Sequence, residues 1–310
     1  MQTVSVPSSP IVPTSARTAP PTEAEVLASF RGPPHAFVDV GHSRLAYRRF
    51  GAGPDVVFVH GWPLRSATYR ALVPLFAGSF TCHLLDLPGA GQTESDSDAP
   101  LDTRSQAATV RRAIDALGLE RYALVGQDSG GFIARLVATD PRAAALVLAN
   151  TEIPGHRSWL LSLFVAAVKA GSADLMLRMM KSRTFRRSGL ALGGAFFDVD
   201  RLDGEFHELM IEPFLTSPEL RRRMARAVEG FDIEEMDRLA GTHAKIRCPS
   251  LLIWGPEDPF FPVAPARAML PQFAGGARMV EIPRAKLLVY EEHPRAFAEH
   301  ALPFLREHTA

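Results

Sequence analysis

The chain has 310 residues, is 46% hydrophobic and 22% charged, and balances 34 Lys and Arg against 34 Asp and Glu. That length fits one large domain or two modest ones with a sizeable core. The zero net charge argues against an electrostatic nucleic-acid binder. No uninterrupted apolar run approaches the roughly 18 residues of a membrane span, so no membrane partner is expected. The two cysteines, Cys82 and Cys248, are too few for a disulfide scaffold and lack metal-site spacing. A reduced, cytoplasmic protein is the expectation.

Residues 1–22 are dominated by Pro, Ser and Thr and contain no acid. They read as a disordered tail, extending to about residue 25, and prolines interrupt any signal-peptide core. Short apolar runs then alternate with helical patterns. Strands are expected at Phe37–Val40, Leu45–Arg49, Asp55–His60 and Cys82–Leu87, and a helix at Thr103–Leu117. A strand at Tyr122–Gln127, a helix at Ser129–Thr139 and a strand at Ala145–Ala149 follow. From about Pro154 to Thr242 the rhythm breaks into helices and loops, among them Trp159–Ala170 and Pro218–Glu229. Strands resume at Leu251–Trp254 and Met279–Ile282. This is an α/β pattern: a mostly parallel eight-stranded sheet covered by helices, built from residues 26–153 and 243–310, with 154–242 inserted as helices.

The chemistry concentrates at strand ends. In Gly126-Gln127-Asp128-Ser129-Gly130 small residues lie two before and two after Asp128. That spacing makes a nucleophile elbow, in which a sharp strand-to-helix turn exposes the central side chain near a helix N-terminus. The common elbow centres on Ser, but Ser129 is out of register, because Gln127 would stand where a small residue is needed. Phe58–Pro63 (FVHGWP) closes an earlier strand and can lend the Trp62 amide to an oxyanion hole, with Ser129 supplying the second amide. His60 is expected to order that loop beside the substrate. Leu251–Pro262 (LLIWGPEDPFFP) places Asp258 in a turn, as suits a triad acid that orients a base.

The ordered set HGWP, DLPGAG, GQDSGG, WGPEDPFFP and EEHPRAFAEHALPFL resembles the α/β-hydrolase superfamily over residues 36–310. The Asp-centred elbow resembles its epoxide hydrolase and haloalkane dehalogenase branch. The resemblance implies an α/β-hydrolase fold with residues 154–242 as a helical cap. It also implies catalysis in two steps. A carboxylate attacks an sp3 carbon to give a covalent ester, and a histidine held by the acid then activates water against that ester.

The chain departs from this pattern in three ways. In Ile282–Pro294 (IPRAKLLVYEEHP), Lys286 stands at the Gly and Leu287 at the His of the family's I-P-x-A-G-H run. Leucine transfers no proton, and a missing base costs about 10²–10⁴-fold at the step that needs it. Substitute bases to consider are Glu152, Tyr290, His293 and the histidines His156, His207 and His243. The four tyrosines, Tyr47, Tyr69, Tyr122 and Tyr290, all lie outside the cap, where this branch keeps its epoxide-binding tyrosines. Ser129 replaces the Trp that many dehalogenases place after the nucleophile.

Trp62, Trp159, Phe164, Phe260 and Phe261 are expected to line an apolar cleft, with Glu152 at the sheet's C-terminal edge, placed to hold a water or a substrate. Arg221–Arg223 reads as a solvated basic face. The expected function is that of an enzyme using Asp128 on an apolar epoxide, halide or ester, with an impaired second step. Two alternatives stand beside it: a non-hydrolytic enzyme using Asp128 as acid or base, and a silent binder of a small apolar ligand. No metal, nucleotide or redox cofactor is called for, since Gly89–Gly91 lacks the Lys-Ser/Thr of a phosphate loop. The reading admits a homodimer.

Overall fold

The computed structural model describes residues 19–309. Nine strands form one sheet: β1 (Ala36–Asp39), β2 (Ser43–Phe50), β3 (Asp55–Val59), β4 (Thr81–Leu85), β5 (Glu94–Ser95), β6 (Tyr122–Gly126), β7 (Ala143–Ala149), β8 (Ser250–Trp254) and β9 (Ala277–Glu281). Their order is β1-β2-β4-β3-β6-β7-β8-β9, with β5 paired to β2. Pairings from β4 onward across the sheet are parallel, while β2 runs antiparallel to β1, β4 and β5. The eight expected strands are all present, with ends moved by one or two residues. The ninth, β5, is two residues long, too short for a period, and pairs Arg44 with Glu94.

Alternation sorts the side chains of β3 between two cores. Val56 and Phe58 pack on the face that holds Phe30 and Phe76. Val57 and Val59 pack on the other face, with Val110 and Phe132. Those partners come from helices α1 (Glu23–Arg31), α2 (Val73–Phe76), α3 (Thr103–Ala116) and α4 (Asp128–Val137). The start of α1 corrects the extent of the tail: Thr22 and Glu25 form a reciprocal capping box, so residues 23–25 are helical. The tail expected over residues 1–18 lies outside the described residues.

Between β7 and β8 there are helices and loops and no named strand. The segment opens with α5 (Trp159–Lys169), capped by Ser158, and α6 (Ala173–Met179). It is tied down over the sheet by main-chain acceptors. Trp62 Nε1 donates to Met224 O at 2.8 Å, and Arg65 Nε donates to Leu209 O at 2.9 Å. Arg221 is not part of a solvated face: it is buried and donates to Asp174 Oδ1 at 2.8 Å. No single helix among the described residues is long and apolar enough to cross a membrane.

Candidate active site

The parallel strands end at one edge of the sheet, where an α/β fold collects its functional loops. At the end of β6 the chain turns sharply into α4, and Asp128 takes φ 48. A non-glycine residue in this left-handed region is strained and is kept where the surroundings enforce it. Two contacts enforce it here. Asp128 N donates to Asn150 O at 2.8 Å, and Thr151 Oγ1 lies 2.8 Å from Asp128 O. Gly130 is needed for the same turn, because a Cβ there would sit 2.3 Å from Val59 O. The elbow read from residues 126–130 is therefore present as a backbone conformation.

The loop after β3 brings its amide to the carboxylate. Trp62 N donates to Asp128 Oδ2 at 3.2 Å and lies 3.0 Å from Ser129 Oγ. The Ser129 amide also hydrogen-bonds the Asp128 carboxyl. Both expected oxyanion donors thus converge on one acidic group. Burial nevertheless raises the Asp128 pKa well above its ordinary value, and the Glu152 carboxylate adds to that, against the two amides.

Glu152 is buried beside the elbow. Arg135 Nη2 lies 3.4 Å from Glu152 Oε2, and Arg135 Nη1 donates to Glu152 O at 2.8 Å. The Thr151 hydroxyl, 2.7 Å from Glu152 Oε2, links this pair to Asp128. Burial raises the Glu152 carboxyl, with Arg135 opposing. Asp258, at the turn after β8, accepts from Asn150 Nδ2 at 2.8 Å and from Phe260 N at 2.8 Å. It is fully enclosed, and burial pushes its carboxyl up to about 7.

These groups meet a cavity of about 440 Å³. Asp128, Ser129, Glu152, Trp62 and His60 form its polar end, and Leu287 lines the same space. Phe164, Phe260 and Phe261 line it as expected, whereas Asp258 stays behind the wall. Trp159 is the exception and a correction: it is 72% exposed and takes no part in the lining. Ser158 caps α5 so that Leu160 and Leu161, not Trp159, turn inward.

Among the substitute bases, Glu152 alone reaches the cavity. The Tyr290 hydroxyl is 2.8 Å from Thr68 Oγ1 in the core, and His293 Nε2 is 2.9 Å from Arg284 O. His243 stacks on Phe273 and bonds Arg135 and Gln272, and burial pushes its pKa down to about 3, so it is a neutral core residue. His156 and His207 are absent from the lining. His60 uses both ring nitrogens, accepting from Leu87 N at 3.0 Å and meeting Gly61 O at 3.0 Å, and so orders its loop. Three residues of the site carried no sequence signal: Arg135, Asn150 and Thr151. Each gains its role from β6, β7 and β8 lying side by side.

An α/β sheet with an acid-centred elbow, two amides at one carboxylate and an apolar cavity above the strand ends defines an enzyme of the hydrolase class. The Alpha/beta hydrolase family matches residues 56–300, and the chain belongs to it. It is 28% identical over 282 residues to haloalkane dehalogenase 2 of Mycobacterium tuberculosis, covering 84% of this chain and 91% of that one. It is 27% identical over 276 residues to the pimeloyl-[acyl-carrier protein] methyl ester esterase of Chromobacterium violaceum, covering 83% and 97%. Over 150 residues it is 30% identical to a soluble epoxide hydrolase of Corynebacterium sp. strain C12, covering 47% and 48%. The fold matches haloalkane dehalogenase DbeA of Bradyrhizobium elkani with a TM-score of 0.72 at 22% identity, over 87% of this chain and 96% of that one.

Proposed function

We propose that the protein is a hydrolase of the dehalogenase and epoxide hydrolase type, in which Asp128 attacks an apolar epoxide, halide or ester and the second step is slow. One observation carries this: the strained Asp128 carboxylate has one oxygen held by the Trp62 amide and opens onto an apolar cavity. On an epoxide or halide, the free oxygen forms a C–O bond to the carbon. The C–O or C–halogen bond breaks, and its electron pair leaves with the oxygen or halide. Water then adds to the ester carbonyl, and the resulting oxyanion falls to the Trp62 and Ser129 amides. That water must lose a proton, and the residue facing the cavity at the usual base position is Leu287. Residues 154–242 act as the cap that closes the cavity.

The leaving group receives little help. The Trp62 indole N–H is already given to Met224 O, so it is not free for a halide. No tyrosine is among the residues lining the cavity. Both points slow the first step without preventing it. The test is pre-steady-state halide release from alkyl bromides. The reading expects a burst stoichiometric with protein followed by near arrest. Steady turnover from the first cycle contradicts it.

A second reading is favoured by the raised Asp128 pKa. A carboxyl that burial makes a weaker acid and a stronger base than usual can donate and accept protons, as a non-hydrolytic elimination or rearrangement requires. Product formation without a covalent ester selects it.

A further inference from the structure

Among the described residues, the exposed large hydrophobic side chains are Trp159, Leu163, Leu175, Met179, Leu190 and Phe197. Five of the six fall within residues 159–190, on α5, on α6 and just past the short helix Arg183–Arg186. Leu163, Met179 and Leu190 are half exposed and also line the cavity that holds Asp128. The apolar wall of the cavity thus runs out through its mouth onto the protein surface. A soluble monomer rarely leaves such a patch without a use.

The charge along this segment is one-sided, although Glu229 of a neighbouring helix also lines the cavity. Residues 159–190 contain Lys169, Arg178, Lys181, Arg183, Arg186 and Arg187 against the single acid Asp174. Arg183, Arg186 and Arg187 pair with Asp200 and Asp203, and Arg178 shares Asp174 with Arg221. Lys169 and Lys181 are exposed and make no ion pair among the described residues, and Lys169 stands in the cavity wall itself. Apolar side chains flanked by free lysines are how a helix settles into the headgroup layer of an anionic bilayer. The pair α5–α6 is long and apolar in composition but bends by 114° at its break, so it makes no straight span.

We propose that α5, α6 and the segment on to Leu190 form an interfacial docking surface for anionic lipid, through which a lipophilic substrate passes from the bilayer into the Asp128 cavity. This adds to the proposed function a substrate class: molecules that partition into membranes. A second copy of the chain is the weaker occupant, because seating one on Leu163, Met179 and Leu190 would close the entrance.

The inference rests on the cavity being the substrate site, but its test does not pass through Asp128. The full chain is floated on a density gradient with vesicles of phosphatidylcholine, with and without phosphatidylglycerol. Trp159 emission is followed in parallel, since Trp254 is buried and Trp62 is packed on Phe164. The expected result is flotation with the anionic vesicles and a blue shift. The variant Trp159→Ser/Leu163→Ser/Leu175→Ser, at sites whose exposure leaves the core intact, should lower partitioning about tenfold or more. Lys169→Gln/Lys181→Gln should weaken the preference for phosphatidylglycerol. Absence of flotation, flotation of the Ser variant equal to the parent, or a dimer in solution that the Ser variant dissociates would each overturn the proposal.

Discussion

The side-chain amide of Asn150 donates to Asp258 Oδ2 at 2.8 Å while its own oxygen accepts from Gly255 N at 2.7 Å, so one residue at the end of β7 ties the buried acid to the turn after β8. In a full triad a histidine would share that carboxylate. Here neutral donors serve, helped by the charge of Lys286, and burial still pushes the acid up to about 7.

That has a consequence for stability. The folded protein keeps a proton on Asp258 between about pH 4 and pH 7, where an unfolded chain has already released it. Stability from this group is therefore present at low pH and lost as pH rises through that window. The loss is on the order of 4 kcal/mol at most. Urea unfolding at pH 5 and pH 8 should show the stability of Asp258→Asn relative to the parent to be greater at pH 8 than at pH 5. An equal difference at both values contradicts the assignment.

Leu287→His places an imidazole on the cavity wall that Leu287 now forms. Breakdown of the Asp128 ester should accelerate by about 10²–10⁴-fold, the usual worth of a general base. Quench-flow measurement of alcohol release decides it, and an unchanged rate means that the remaining machinery is not arranged for the second step.

Gly61 approaches the nucleophile closely. A Cβ there would lie 2.6 Å from Asp128 Oδ2 and 2.7 Å from Asp128 Cβ. Gly61→Ala should displace the carboxylate from the Trp62 amide and slow adduct formation by about 10²-fold, as loss of one oxyanion donor does. Burst amplitude and melting temperature, measured together, separate this local effect from unfolding.

The Glu152–Arg135 pair sets the field at the elbow. Glu152→Gln removes a charge that raises the Asp128 pKa, so the rate of alkylation should reach its plateau at lower pH than in the parent. Arg135→Leu, by contrast, strands a buried carboxylate and should cost about 3–5 kcal/mol of stability. If the Glu152→Gln profile superimposes on the parent profile, the proposed coupling is absent.

The sheet was legible because its strands are compact β-branched and leucine runs closed by Gly, Pro or Asp, as in DVVFVHG and YALVGQD. The elbow was legible because its glycines report close backbone contacts by spacing alone. The direction of Trp159 was not. The run WLLSLFVAAV is apolar around most of its circumference, so its pattern does not say which face turns inward, and the Ser158 cap decides it. Arg135 gave no signal either: it lies seven residues past Asp128, in the last turn of α4, and meets Glu152 and Thr151 only once β6 and β7 pair.

The most direct test of Asp128 as a nucleophile is intact-protein mass spectrometry after exposure to a panel of terminal epoxides and alkyl halides. The account predicts a stable adduct at Asp128, carrying the whole epoxide or the alkyl group without its halide, that is absent from Asp128→Asn. Unmodified protein and no product across the panel, or turnover that survives in Asp128→Asn, would contradict it.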